Sequence, residues 1–204
     1  MPEQIHASPD GAKYRLVGTK TTTPTSDASA KAITVDSTTV EVIVSDSRLH
    51  SLGSQFGHVA IDIDGTVYSR AHEEYVEIDR HTYFYGGTVH LTNGSIRTAG
   101  NLWRDNVGLV LRVSPAEKEK MKVELQRRVA ADREFRRAHP NGSTYSIVSN
   151  SCSSNVADVL ESIGILAHDP RWFPTPVTPA ELDAIVEKSK RLAKRNSYPK
   201  QADQ

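Results

Sequence analysis

The patterned part of the chain opens with Val40-Glu41-Val42-Ile43-Val44, a short apolar run with the length and residue types of a β-strand. After a Ser/Asp-rich loop, the segment from Gly57 to Ser69 alternates apolar and polar residues, with Asp64-Gly65 at its middle. Alternation with a period of two predicts paired strands, and Asp-Gly supplies the positive φ angles of a tight hairpin turn. In that register Val59, Ile61 and Ile63 point to one face, and His58, Ala60 and Asp62 to the other. Further strands are expected at Tyr75–Ile78, Thr88–Leu91 and Val107–Val113, separated by Gly86-Gly87 and Asn93-Gly94. Together these runs predict an antiparallel sheet of about five or six strands.

The period then changes. Ser114-Pro115-Ala116-Glu117 is a capping box with proline at the first helical position, so a charged helix is expected to run to about Ala138, where Pro140-Asn141-Gly142 stops it. Tyr145 to Val148 leads into a second helix in which Val156, Ala157, Val159, Leu160 and Ile163 form one apolar face and Gly164 is a natural C-cap. Beyond the proline-rich loop 170–176, Thr178-Pro179-Ala180-Glu181 starts a last helix expected to bury Leu182, Ile185, Val186 and Leu192. Residues 1–37, rich in Thr, Ser, Ala and Lys, are too polar to offset the entropy of ordering and are expected to be a flexible leader. Residues 191–204 are basic and polar, and are expected to fray. The expected organisation is therefore a leader (1–37), one α+β domain (38–190) and a polar tail.

Charge narrows the function classes. Lysine plus arginine and aspartate plus glutamate each number 25, so the chain has no basic footprint for nucleic acid or an anionic membrane. It begins Met-Pro-Glu-Gln-Ile-His without a basic and apolar signal segment, and no apolar run is long enough to cross a bilayer. The expectation is synthesis in the cytoplasm, no stable membrane insertion, and export by a route that reads no such signal.

The single cysteine, Cys152, excludes an internal disulfide and stands at the start of the second helix, flanked by Asn150, Ser151, Ser153 and Ser154. A thiol at a helix N-terminus is placed where the dipole and free backbone amides can stabilise a thiolate and an oxyanion. Thiol chemistry also needs an imidazole, and His58 at the start of a strand has the required setting. A small buried hydrophobe and a satisfied strand histidine are the structural alternatives. The polar neighbours of Cys152, and its place ahead of the apolar stripe, favour the chemical reading. His72, His81 and His90 recur every nine residues, a spacing that defines no single face, so no metal or other cofactor is expected. Glu73-Glu74, Arg127-Arg128 and Arg136-Arg137 read as solvated faces, and Trp172-Phe173 as a groove lining or a core plug.

Gly57-His58-Val59-Ala60-Ile61-Asp62-Ile63-Asp64-Gly65 resembles the histidine strand of the NlpC/P60 papain-like superfamily, and Asn150-Ser151-Cys152-Ser153-Ser154 with its apolar helix resembles the nucleophile helix. Here the histidine precedes the cysteine, an order similar to that of the circularly permuted branch, which includes cell-wall hydrolases, lipid acyltransferase-like enzymes and type VI secretion effectors. The resemblance implies Cys152 as nucleophile and His58 as general base and acid, with the Cys152 amide in the oxyanion hole. It also implies an aromatic near the nucleophile, which Tyr145 matches. The family's orienting residue falls on the next strand, where the hairpin register puts Ser69, a poor orienter of an imidazolium. His72 or Glu74 beyond a bulge, or Asp79 from the following strand, are the substitutes.

The implied activity is cleavage of an amide bond in peptidoglycan peptide stems by a secreted antibacterial effector acting in a target cell's periplasm. Such a toxin implies an immunity protein and a secretion-apparatus component as partners. A lipid thioesterase or acyltransferase on the same scaffold, or a binding module with an idle cysteine, are the rival readings.

Overall fold

A computed structural model describes residues 5–7, 13–15, 37–47, 57–146, 150–169 and 177–201. In chain order the elements are β1 (Ile5–Ala7), β2 (Lys13–Arg15), β3 (Thr38–Ser45), β4 (His58–Ile63), β5 (Thr66–Arg70), β6 (Tyr75–Asp79), α1 (Arg80–Tyr85), β7 (Gly87–His90), β8 (Ile96–Ala99), β9 (Asn106–Val113), α2 (Pro115–Ala138), α3 (Cys152–Glu161), α4 (Pro179–Val186) and β10 (Leu192–Tyr198). The protein is α+β, with a six-stranded antiparallel sheet in the order β10-β9-β3-β4-β5-β6.

The β4–β5 hairpin turns at Asp64 (φ 54°) and Gly65 (φ 83°), the left-handed pair that its sequence demands. Alternation then distributes the side chains. Val42, Val59, Ile61 and Leu109 face a core completed by Leu125 of α2, Val156 and Leu160 of α3, and Leu182 of α4. Ile43, Ala60 and Val67 face the other way, onto Tyr83 and Phe84 of α1. The three helices that the sequence predicts begin where expected. Ser114, Ser151 and Thr178 all form reciprocal capping boxes with the residue three positions on.

Four expectations change. The run around Thr88–Leu91 does not join the main sheet; β7 pairs with β8 in a separate hairpin packed over Val76. Arg80–Tyr85 forms a helix, capped by the Asp79 carboxylate accepting from the Thr82 amide at 2.9 Å. The tail expected to fray instead supplies β10, an edge strand paired with β9 from Leu192 to Tyr198, and α4 ends at Val186 before Leu192 is reached. Its sequence hides this because an edge strand needs few apolar residues when backbone pairing and a few polar anchors hold it. Tyr198 and Asn196 donate to the buried Glu41 carboxylate at 2.6 and 2.8 Å, and Arg80 donates to both Glu41 and Asp62. Finally, Glu74 and Arg136 are buried rather than solvated. Within the leader, β1 and β2 pair with each other; the rest of it, and the loop holding Trp172 and Phe173, lie outside the described residues.

Candidate active site

Cys152 occupies the first turn of α3. The Ser151 hydroxyl accepts from the Ser154 amide at 3.1 Å, and the Ser154 hydroxyl accepts from the Ser151 amide at 2.9 Å. Asn155 ties this turn to the segment before it, donating to Asn150 Oδ1 at 2.7 Å and to the Ser151 carbonyl at 2.8 Å, while Arg128 of α2 donates to Asn155 Oδ1 at 2.7 Å. The Ser, Asn and Ser residues around the cysteine therefore brace a turn rather than wet a surface.

Cys152 is nevertheless buried, at 5% relative exposure, despite its polar neighbours and its place ahead of the apolar stripe. Burial pushes its pKa up; the amides of Val59, Ser153 and Cys152 and the Arg104 guanidinium act the other way and do not prevail. Burial opposes what a helix N-terminus favours, and here Tyr145 lies against the buried thiol.

His58 stands at the first residue of β4, adjacent to Val59, and shares its face with Ala60 and Ser69. Its Nε2 lies 2.7 Å from Ser69 Oγ. The thiol thus meets the Val59 amide, one residue from His58, and no hydrogen bond joins thiol and imidazole. Burial, with the positive charges of Arg104 and Arg97, pushes the His58 pKa down to about 3, so the ring is neutral at physiological pH. The resting pair is thiol and imidazole, not thiolate and imidazolium.

Tyr145 lies against Cys152, and burial with the nearby thiol raises its phenol pKa. Its ring packs against His72 at 5.3 Å between centroids, and the Arg70 guanidinium sits over it at 5.5 Å. What holds this segment, and what the sequence reading missed, is a buried network around Asp132 of α2. Asp132 accepts from the Tyr75 amide at 2.8 Å and the Thr144 hydroxyl at 2.6 Å, and faces Arg70 at 3.6 Å. Arg70 also donates to Thr144 at 2.9 Å, and Asn150 donates to the Thr144 carbonyl at 2.7 Å. The segment around Thr144 and Tyr145, ahead of Cys152, is thereby anchored to β5, β6 and α2. An aspartate on the buried stripe of α2, in step with Met121, Leu125 and Val129, was the one available signal.

The substitutes for the orienting residue lie elsewhere. Glu74, 3% exposed, accepts from the Thr92 amide and hydroxyl at 2.9 and 2.8 Å and lies 3.9 Å from both Arg133 and Arg136, so it secures the β7–β8 hairpin to α2. Asp79 caps α1. His72 is exposed and reaches Tyr145. Ser69 alone among them touches His58. Among the described residues no group of His, Cys, Asp and Glu could hold a metal ion, and His81 pairs with Tyr85 on α1 instead. A cleft of about 100 Å³ opens beside this site, lined by His58, Ser69, His72, Arg97, Arg104 and Tyr145 among others.

No family model and no curated protein matches the chain. Among solved structures it is similar to a type VI secretion system effector, TseH, at 16% identity and a TM-score of 0.43, over 74% of this chain and 88% of that one.

Proposed function

We propose that the protein is a cysteine hydrolase that cleaves an amide bond through a thioester intermediate. The observation that carries this reading is the convergence at one strand end: Cys152 in the first turn of α3 faces the Val59 amide, one residue from a His58 already bonded to Ser69. With Nε2 engaged by Ser69, the other ring nitrogen is left for proton transfer. His58 takes the thiol proton as Sγ attacks the carbonyl carbon, and the Cys152 amide and Tyr145 hydroxyl donate to the oxyanion. Collapse expels the amine, protonated by His58, and a water activated by the same ring then releases the acid. Because the resting pair is neutral and unbonded, the chemistry requires the thiol and imidazole to come together when substrate displaces water from the cleft.

The sheet packed against the cysteine helix is compatible with a papain-like scaffold, and the order histidine before cysteine with its permuted form. The choice of peptidoglycan peptide stems as substrate, of an antibacterial effector role in a target periplasm, and of an immunity protein and secretion component as partners rests on the likeness of the two motifs to that superfamily. The direct test is to incubate purified peptidoglycan with the wild type and Cys152→Ala and analyse the soluble products by mass. New stem fragments with the wild type alone are the expected result; identical products, or none from either, would end this reading.

A second reading is favoured by one observation, the buried thiol with its raised pKa. In that reading the protein is a binding module and Cys152 a packing residue. A Cys152→Ala variant that retains every cellular effect of the wild type would select it.

A further inference from the structure

The cleft beside His58 stops short of the nucleophile. Its described lining includes His58, Ser69, His72 and Tyr145 but not Cys152, which is 5% exposed. Tyr145 is common to both places, for it lines the cleft and lies against the thiol. A carbonyl in the cleft therefore cannot reach Sγ until this half-buried ring moves.

The backbone on either side of Tyr145 is tied down. Thr144 is held through its hydroxyl by Asp132 at 2.6 Å and through its carbonyl by Asn150 Nδ2 at 2.7 Å. Ser146 exchanges two backbone hydrogen bonds with Asn150, at 2.9 and 3.2 Å. Movement is thus confined to rotation of the side chain between staggered rotamers. Two groups touch the ring. The Arg70 guanidinium, 5.5 Å from its centroid, is itself fixed, donating to the Ala71 carbonyl at 2.7 Å and the Thr144 hydroxyl at 2.9 Å. His72, whose ring centroid lies 5.3 Å away, is exposed. Its carbonyl accepts from the Ser143 hydroxyl at 2.6 Å, so its backbone stays in place while the imidazole can turn. A ring pair of this kind is strong enough to bias a rotamer and too weak to lock it.

We propose that His72 is a positioning residue that holds Tyr145 across Cys152, so that one side-chain rotation gates the thiol. This deepens the hydrolase reading and rests on it only for what the opening admits, a substrate carbonyl. The cleft that Tyr145 lines gives the ring room to turn without leaving the site where its hydroxyl acts on the oxyanion. A nucleophile shut off in this way is shielded from side reactions while the site is empty.

The test is the alkylation rate of Cys152 in the full chain with iodoacetamide, each rate divided by the thiolate fraction from that variant's own pH profile. His72→Ala, at an exposed position with the melting temperature retained, should react about two- to tenfold faster than the wild type, the population shift that loss of one ring pair allows. His72→Phe keeps a ring against Tyr145 and should react at the wild-type rate. Tyr145→Ala removes the gate and should react faster than His72→Ala; if it does not fold, the two His72 variants decide. A wild-type rate in His72→Ala, or a His72→Phe variant as fast as His72→Ala, would overturn the proposal. Gated alkylation without peptide turnover by the wild type would remove only the hydrolase reading, and turnover by a protein whose thiol is not gated only this one.

Discussion

His58 Nε2 and Ser69 Oγ stand 2.7 Å apart, across the β4–β5 pair and eleven residues apart in the chain. A serine hydroxyl can fix an imidazole's orientation, yet it carries no charge with which to stabilise an imidazolium. Ser69 therefore orients the His58 ring without charging it, and no hydrogen bond joins that ring to Cys152.

Removing that hydroxyl separates the two properties. Ser69→Ala should lower hydrolytic turnover by roughly tenfold to hundredfold, the range seen when an outer hydrogen-bond partner is lost, with KM nearly unchanged. Stability should fall by only about 1 kcal/mol. Steady-state kinetics on stem peptides with a parallel urea titration would measure both, and unchanged turnover would show that Ser69 is a bystander.

The buried thiol makes a prediction about reactivity. Alkylation of Cys152 in the ligand-free protein should rise only at pH above the ~8.5 of an ordinary cysteine, because burial raises its pKa. Since no hydrogen bond links it to His58, His58→Ala should leave that profile where it is. A rate that plateaus below neutral pH would reveal a preformed ion pair instead.

His58 predicts an acid limb in stability. Its folded pKa is depressed to about 3, so between that value and the ordinary histidine range the unfolded chain binds a proton that the folded one refuses. Its contribution is complete above the unfolded pKa and is lost as pH falls, by at most about 1.4 kcal/mol per unit. His58→Gln, which can still hydrogen-bond Ser69, should flatten unfolding free energy against pH between about 6.5 and about 3. Parallel curves for the two proteins would contradict it.

Asp132 should prove a large stability determinant. Asp132→Ala leaves Arg70 buried without its carboxylate and strips acceptors from the Tyr75 amide and Thr144 hydroxyl, at a cost of about 3 to 5 kcal/mol. Chemical denaturation gives this directly. Loss of the network should also slow turnover in the folded fraction, because the Tyr145 segment loses its anchor.

The C-terminal strand is testable by deletion. Ending the chain after residue 190 removes β10, uncovers the β9 edge and takes two donors from the buried Glu41 carboxylate. The melting temperature should fall by several degrees or more. Tyr198→Phe alone should cost about 1 to 3 kcal/mol, the penalty for weakening the satisfaction of a buried charge. An unchanged melting temperature after deletion would mean the strand is dispensable.

The sequence by itself determined what depends on short-range stereochemistry. Asp64-Gly65 selects the hairpin turn, the hairpin register puts Ser69 within reach of His58, and the capping boxes at Ser114 and Thr178 start two helices where the structure has them. Tertiary structure decided everything that turns on which distant surfaces meet. It buried the Cys152 thiol behind Tyr145 and the strand end, so that desolvation outweighs the helix N-terminus that the sequence displays. It directed Glu74 to Thr92 and α2, drew the polar residues 192–198 into the sheet, and set Arg97 and Arg104 in one cleft. A residue's periodicity says which face it occupies; what packs against that face, and hence its solvation and charge state, comes from segments tens of residues away.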